Sequence, residues 1–220
     1  MRRLFSILLL LSIAIVSPLL LHAQGVKVLP VDESWKDTSL VSFQKNLLKA
    51  AKDQDTVFVY SVVDTMIKNG FGDDPGIEIF KRHWRSPKPD FRKELITAIK
   101  LGGVFYRDNK QFFVPYLMMR FPQDYDAFEY SVVIGDHVNV RQEPNLSSNI
   151  ITELSYDIVK VKNHTSRFDA LSGLKWIEIE LPQNKVGYIC KDYVRSPIDY
   201  RFSFEKKGSR WLLTGWFAGD

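Results

Sequence analysis

Cys190, in the stretch GYICKDYV at 187–194, is the only cysteine in the chain. It could serve as a nucleophile, a redox handle or a small buried apolar group. A nucleophilic thiol needs a base within reach and a lowered pKa. Past the N-terminal apolar stretch the histidines are His83, His137 and His164, none in a recognisable catalytic setting. Cys190 also ends an expected strand, where a nucleophile more commonly opens a helix, so it reads as a structural or groove residue. Glu178 and Glu180 could form a glycosidase-like carboxylate pair. Their spacing equally describes one exposed face of a strand, the commoner meaning. Asp73 and Asp74 precede Pro75 and read as a helix start, not as a calcium site. There is no His-x-x-x-His, no Cys-x-x-Cys, and Gly102-Gly103 lacks the rest of any phosphate loop. No catalytic residue, metal ligand or cofactor is expected, and the chain does not read as an enzyme.

The elements that must position these residues begin after a leader. Residues 1–24, MRRLFSILLLLSIAIVSPLLLHAQ, combine two arginines, an apolar run from Leu4 to Leu21 and a small residue, Ala23, before a plausible cut. This is the pattern of a secretory signal peptide, with an uncleaved anchor as the alternative that the length of the run leaves open. No cysteine follows the run directly, so a lipoprotein is not expected. The protein is expected to be exported, periplasmic or secreted, and to meet the membrane only transiently through the signal peptide. Removing Arg2 and Arg3 leaves 28 basic against 26 acidic residues, so a formal net charge of +4 becomes +2. With no basic tail, nucleic acid is not an expected partner. A single cysteine cannot make an internal bridge, so the remaining chain must stand on a hydrophobic core, for which its length suffices.

Residues 25–127 read as a mainly helical unit. Asp37 and Thr38 open a helix in which Leu40, Phe43, Leu47, Leu48 and Ala51 recur at helical spacing. TVFVYSVVDTMIKN (56–69) is expected to be a second helix capped by Gly70. A third starts at Asp74 with Ile77, Phe80 and Trp84 on one face, and a fourth at Asp90, stopped by Gly102-Gly103. VFYR, a DNK turn and QFFVPYLMMR read as a hairpin over 104–120. Residues 128–198 change texture to short strands: EYSVVI, HVNVR, IITELS, IVKVKN, KWIEIEL and KVGYIC, with a loop at 164–174. Strands at this spacing argue for a small β-barrel. Residues 199–220 read as a closing hairpin about a KKGS turn. Two strands alone are marginal, so its Trp211, Leu213 and Trp216 are expected to return to the helical unit and extend the 104–117 hairpin. The fold class is α+β.

Within the β segment, alternation sends Val138 and Val140 inward and His137, Asn139 and Arg141 outward. Ile177, Ile179 and Leu181 share one face of KWIEIEL, leaving Trp176, Glu178 and Glu180 on the other. Trp176 is therefore expected to face away from the barrel core. Tyr188 is ambiguous: strand parity sets it opposite Ile189, whereas the simplest hairpin register sets it beside Ile179.

The ordered set Asn139, Val140, Arg141, Pro144, Ser147, Ser148, Ile151 and Leu154, then Trp176, Ile179, Gly187, Tyr188, Ile189, Tyr193 and Val194, resembles the bacterial Src-homology-3 (SH3b) domain family over residues 129–197. The resemblance implies an SH3-like β-barrel in which Trp176 and Tyr193 flank a shallow ligand groove, with Glu178, Asp192 or Arg141 as polar neighbours. Cys190 stands where the wider fold has a groove proline, and no A-L-Y-D-Y-like stretch is present, so the resemblance does not extend to proline-rich peptides. Family members are commonly envelope proteins, some of them wall-targeting modules. The resemblance thus implies a non-catalytic binding protein recognising peptidoglycan peptides or an envelope protein. Two other classes stay open: an enzyme with a site between the units, and a structural or assembly protein. It also stays open whether the helical unit or the final hairpin covers Trp176.

Overall fold

The computed structural model describes residues 25–72, 75–87, 90–107 and 110–219. The leader, Asp73 and Asp74, and most of the DNK turn lie outside these residues.

Helix α1 (Thr38–Asp53) starts where Asp37 accepts hydrogen bonds from the Ser39 and Leu40 amides, satisfying donors that a helix start leaves orphaned. It buries Leu40, Leu47, Ala50 and Ala51. Helix α2 (Thr56–Ser61) is capped by Asp55, which accepts from the Phe58 amide. The expected helix over 56–69 stops there, and the chain becomes strand β1 (Val63–Asn69). Tertiary pairing overrides the helical periodicity: β1 runs parallel to the last strand, Val63 opposite Leu213 and Asn69 opposite Trp216. Asn69, fully buried, locks the end of β1. It accepts from the Trp216 indole N–H at 2.9 Å and donates to the carbonyls of Ile67 and Gly76 at 3.1 and 2.9 Å.

Helix α3 (Ile77–Arg85) presents Phe80 and Trp84 to the core, starting after Gly76. Asp90 caps α4 (Phe91–Lys100) through the Lys93 amide. Strands β2 (Val104–Tyr106) and β3 (Gln111–Val114) form the expected hairpin. The second strand ends earlier than the pattern suggests, because Pro115 has no amide to continue the ladder. A short helix, α5 (Leu117–Arg120), follows.

The β segment contributes β4 (Tyr130–Val133), β5 (Val138–Arg141), β6 (Ile150–Leu154), β7 (Ile158–Phe168), β8 (Lys175–Leu181), β9 (Lys185–Cys190) and β10 (Val194–Arg195). The loop expected at 164–174 is half strand, since β7 continues to Phe168 opposite Lys175. The seven strands run in the order β10-β4-β7-β8-β9-β5-β6. This corrects the expected barrel, because the ladder does not close. Strand β10 is only two residues long and pairs only with β4, leaving β6 and β10 as edges. Valines and isoleucines from β4, β5, β7, β8, β9 and β10 still meet in one core, with Val133, Val140, Ile179 and Ile189 fully buried.

Strands β11 (Arg201–Lys207) and β12 (Arg210–Phe217) return to the N-terminal unit. Phe202 pairs with Val114 and Phe204 with Phe112, completing a five-stranded sheet in the order β1-β12-β11-β3-β2. Helices α1, α3 and α4 and this sheet share a core that includes Leu47, Phe80, Phe91, Phe204 and Leu213. The protein is thus mixed α+β with two sheets. Where the parts meet, Val28, Val104, Tyr116, Leu117 and Val132 form a smaller apolar cluster. The Tyr116 hydroxyl donates to the Val28 carbonyl at 3.1 Å, and burial pushes this phenol up to about 12. On β10, opposite Val132, the Arg195 guanidinium reaches Glu94 at 3.3 Å and the Tyr200 carbonyl at 2.7 Å.

One pH effect follows from the start of α1. Burial alone would raise the Asp37 carboxyl. Lys206, at 2.7 Å on β11, together with the Ser39 hydroxyl and the Ser39 and Leu40 amides, instead holds it down to about 2. A carboxyl whose folded pKa lies below its usual 3.8 contributes stability above that value and loses it as pH falls through the folded one. Wild type is expected to lose about 1 kcal/mol from this group between about pH 4 and pH 2, after discounting for partial exposure. Asp37→Asn should be destabilised at pH 6 and lack that part of the acid transition. Urea unfolding at stepped pH measures both.

Candidate functional site

Four of the five residues expected to form a groove come together. Trp176, Tyr193, Asp192 and Arg141 line one cavity of about 360 Å³, with Cys190 between them. The ladders explain the assembly. Cys190 lies opposite Trp176, and Tyr188 opposite both Glu178 and Arg141. Three strands therefore bring alternate residues to the face turned away from the valine core. Tyr188 belongs to this face, because Gly187 and not Tyr188 faces Ile179. A Cβ on Gly187 would stand 2.5 Å from the Val140 side chain, so only glycine lets β9 approach β5 there.

Trp176 does leave the valine core, yet only 2% of its surface is exposed. Its covering comes from its own neighbourhood: it packs with Tyr188 and Cys190, flanked by Leu174 and Val186. Neither the helical unit nor the terminal hairpin supplies that cover. The indole is the floor of the groove and half-exposed Tyr193 is its wall. Tyr193 is positioned by a single turn of 3-10 helix, Lys191–Tyr193. Its carbonyl accepts from the Ile134 amide at 2.9 Å, and its ring passes over Gly135, where a Cβ would stand 3.2 Å away. Arg141 is held by donating from Nη1 to the Ser148 carbonyl at 2.7 Å.

Glu178 is the expected site residue that stays out of the cavity lining. Its carboxylate accepts from Arg167 at 3.2 Å and from the Tyr188 hydroxyl at 3.4 Å. The strand face was read correctly, but Arg167 on β7 takes up the charge. The Glu178 carboxylate is thus engaged on the strand face, outside the groove.

The groove also holds residues that the sequence reading passed over: Asp136, His137 and Asn139. The alternation of HVNVR had already turned His137 and Asn139 outward beside Arg141, so the signal was present. Asp136 is held below the usual carboxylate range, first by the Ser155 hydroxyl and then by His137, whose Nδ1 is 3.1 Å away. Cys190, His137 and Asp136 thus share one groove. Burial, however, pushes the Cys190 thiol up, opposite to what a nucleophile needs. His83 packs instead against Trp216 at 4.6 Å in the other unit.

Two polar atoms on this surface have no partner among the described residues. They are the Trp176 indole Nε1, a donor only, and the Asn139 Oδ1, an acceptor, both buried from solvent. Orphaned groups of this kind cost about 1–3 kcal/mol each and are uncommon in folded proteins. No group of three or more His, Cys, Asp or Glu among the described residues could hold a metal ion. No helix among them is long and apolar enough to cross a membrane.

Comparison with protein-family models, with curated proteins and with solved structures found no match.

Proposed function

We propose that the protein is an exported, non-catalytic binding protein of the cell envelope. Its SH3-like domain of the bacterial Src-homology-3 type, residues 128–198, recognises a peptide of peptidoglycan or of an envelope protein in the groove over Trp176. The observation that carries this reading is the pair of orphaned atoms. The two residues that carry this unpaired indole N–H donor and carboxamide acceptor line the same groove, and one peptide unit offers the complementary carbonyl and amide. Tyr193 and Leu174 supply apolar contact, in the usual pattern of a mostly apolar site with few placed polar groups.

The test is sedimentation with purified cell-wall sacculi. Wild type is expected to pellet. Trp176→Phe, which keeps a ring and removes the N–H, and Asn139→Leu should each weaken pelleting about tenfold, the usual worth of one lost hydrogen bond in a desolvated site. Cys190→Ala should pellet like wild type. Thermal unfolding of each variant checks that the fold survives. Absence of wild-type pelleting, or equal pelleting of all four proteins, removes the wall-binding reading. Release of soluble wall fragments that Cys190→Ala abolishes would make the protein an enzyme instead.

A further inference from the structure

The groove carries opposite charges at its two ends. Arg141 lies opposite Tyr188, and continuing that antiparallel register by two places sets Asn139 beside Cys190, which faces Trp176. Asn139, Cys190 and Trp176 therefore form one row across the floor. On one side of this row is Arg141. Its Nη1 is used by the Ser148 carbonyl, and its other N–H groups have no partner among the described residues. On the other side are Asp136, two residues before β5, and Asp192, two residues beyond Cys190, both lining the groove. The Asp192 carboxylate has no ion-pair partner among the described residues. At about 3.3 Å per strand residue and about 2 Å per residue in the turns that carry Asp136 and Asp192, the acidic and basic ends lie on the order of 11–14 Å apart.

We infer that the groove takes a short zwitterionic peptide of about four residues, extended, with its free ammonium against Asp192 and its free carboxylate on Arg141. This inference rests on the groove-binding reading above and adds the size, polarity and orientation of the ligand. Four extended residues span about 13–14 Å from terminus to terminus, at the upper end of the separation of the charges. Between the termini, a peptide carbonyl accepts from the Trp176 indole, 98% buried and otherwise unpartnered, while a peptide amide donates to Asn139. A guanidinium takes a carboxylate with two parallel hydrogen bonds. The unpaired Asp192 carboxylate at the far end opposes a ligand lying in the reverse direction, through like-charge repulsion.

The experiment is calorimetric titration of the purified protein with tetra-alanine bearing free termini, its N-acetylated form, its C-terminal amide, and di-alanine. Tetra-alanine is expected to bind. Acetylation and amidation should each weaken binding about tenfold, and di-alanine, too short to reach both ends, at least as much. Arg141→Gln should abolish the difference between free acid and amide while leaving the effect of acetylation. Asp192→Asn should shrink the difference between free amine and acetylated form. Equal binding of free and capped tetra-alanine, still weakened by Trp176→Phe, overturns the zwitterion inference and leaves the groove reading standing. No binding of any of the four compounds, with sacculi still pelleted in a Trp176-dependent way, also overturns the inference alone. No binding and no pelleting overturns both.

Discussion

Replacing Phe91 by alanine lowers the free energy of unfolding by about 3–5 kcal/mol, the cost typical of deleting a buried aromatic ring. The ring is 1% exposed and stands at the meeting point of α3, α4, β11 and β12. It makes edge-to-face contacts with Phe80 at 5.5 Å, Phe202 at 5.4 Å and Trp216 at 5.1 Å. Each such pair is worth about 0.5–1.5 kcal/mol beyond simple burial. Several partners sit on strands that reach this place from the far end of the sequence, so collapse of the surroundings into the cavity is restricted. Phe91→Leu, which keeps most of the volume, should cost less than half as much. Urea unfolding with the two variants measures both. A loss under 1 kcal/mol for Phe91→Ala would refute the central placement of this ring. Groove binding, measured where the variant is still fully folded, should not change.

The second large effect belongs to Asn69. Asn69→Leu keeps the shape but strips an acceptor from the Trp216 indole and donors from the carbonyls of Ile67 and Gly76. Leaving buried polar groups without partners costs about 1–3 kcal/mol each, so a total of about 3 kcal/mol is expected once some of them find water. The diagnostic is non-additivity. Trp216→Phe in the Asn69→Leu background should cost clearly less than Trp216→Phe alone, because the indole N–H it removes is already orphaned. Full additivity would mean that the Asn69–Trp216 hydrogen bond contributes nothing.

Asn69 also marks where reading along the chain fails. The helix starts at Asp37 and Asp90 are legible because a cap is a local interaction between a carboxylate and an amide two or three residues away. Strand β1 is not legible, because the partner that makes it a strand is β12, some 150 residues downstream. Its Val63, Met66 and Ile67 fit a helix face just as well. The closing hairpin was placed for a different reason: two strands carrying Trp211, Leu213 and Trp216 cannot bury them alone, and the adjacent 104–117 hairpin offers the matching edge. Closure of the β segment could not be read, since it depends on how far β10 extends, and two residues do not suffice to reach a second neighbour.

In the groove, period-two alternation sufficed to bring Arg141 and Trp176 to one face. Tyr193 and Asp192 line the groove as well, and no pattern in their own stretch announces this. Glu178 failed because its partner, Arg167, comes from a stretch taken for loop. The burial of Trp176 could not be foreseen either. Its cover is assembled from Leu174, Val186, Tyr188 and Cys190 by the hairpin register, and no single segment announces it. Cys190, the first residue to suggest chemistry, is part of that cover, with a thiol made less acidic by burial.

The two sheets differ in when they can be completed as the chain emerges from its N-terminal end. Every ladder of the seven-stranded sheet is contained within residues 130–195. The five-stranded sheet instead has β11, one of the last two strands, at its centre. Until β11 and β12 arrive, β1 has no strand partner, and Phe91 lacks Phe202 and Trp216. Completion of the five-stranded sheet therefore waits for the last strands of the chain, whereas the seven-stranded sheet needs nothing beyond residue 195.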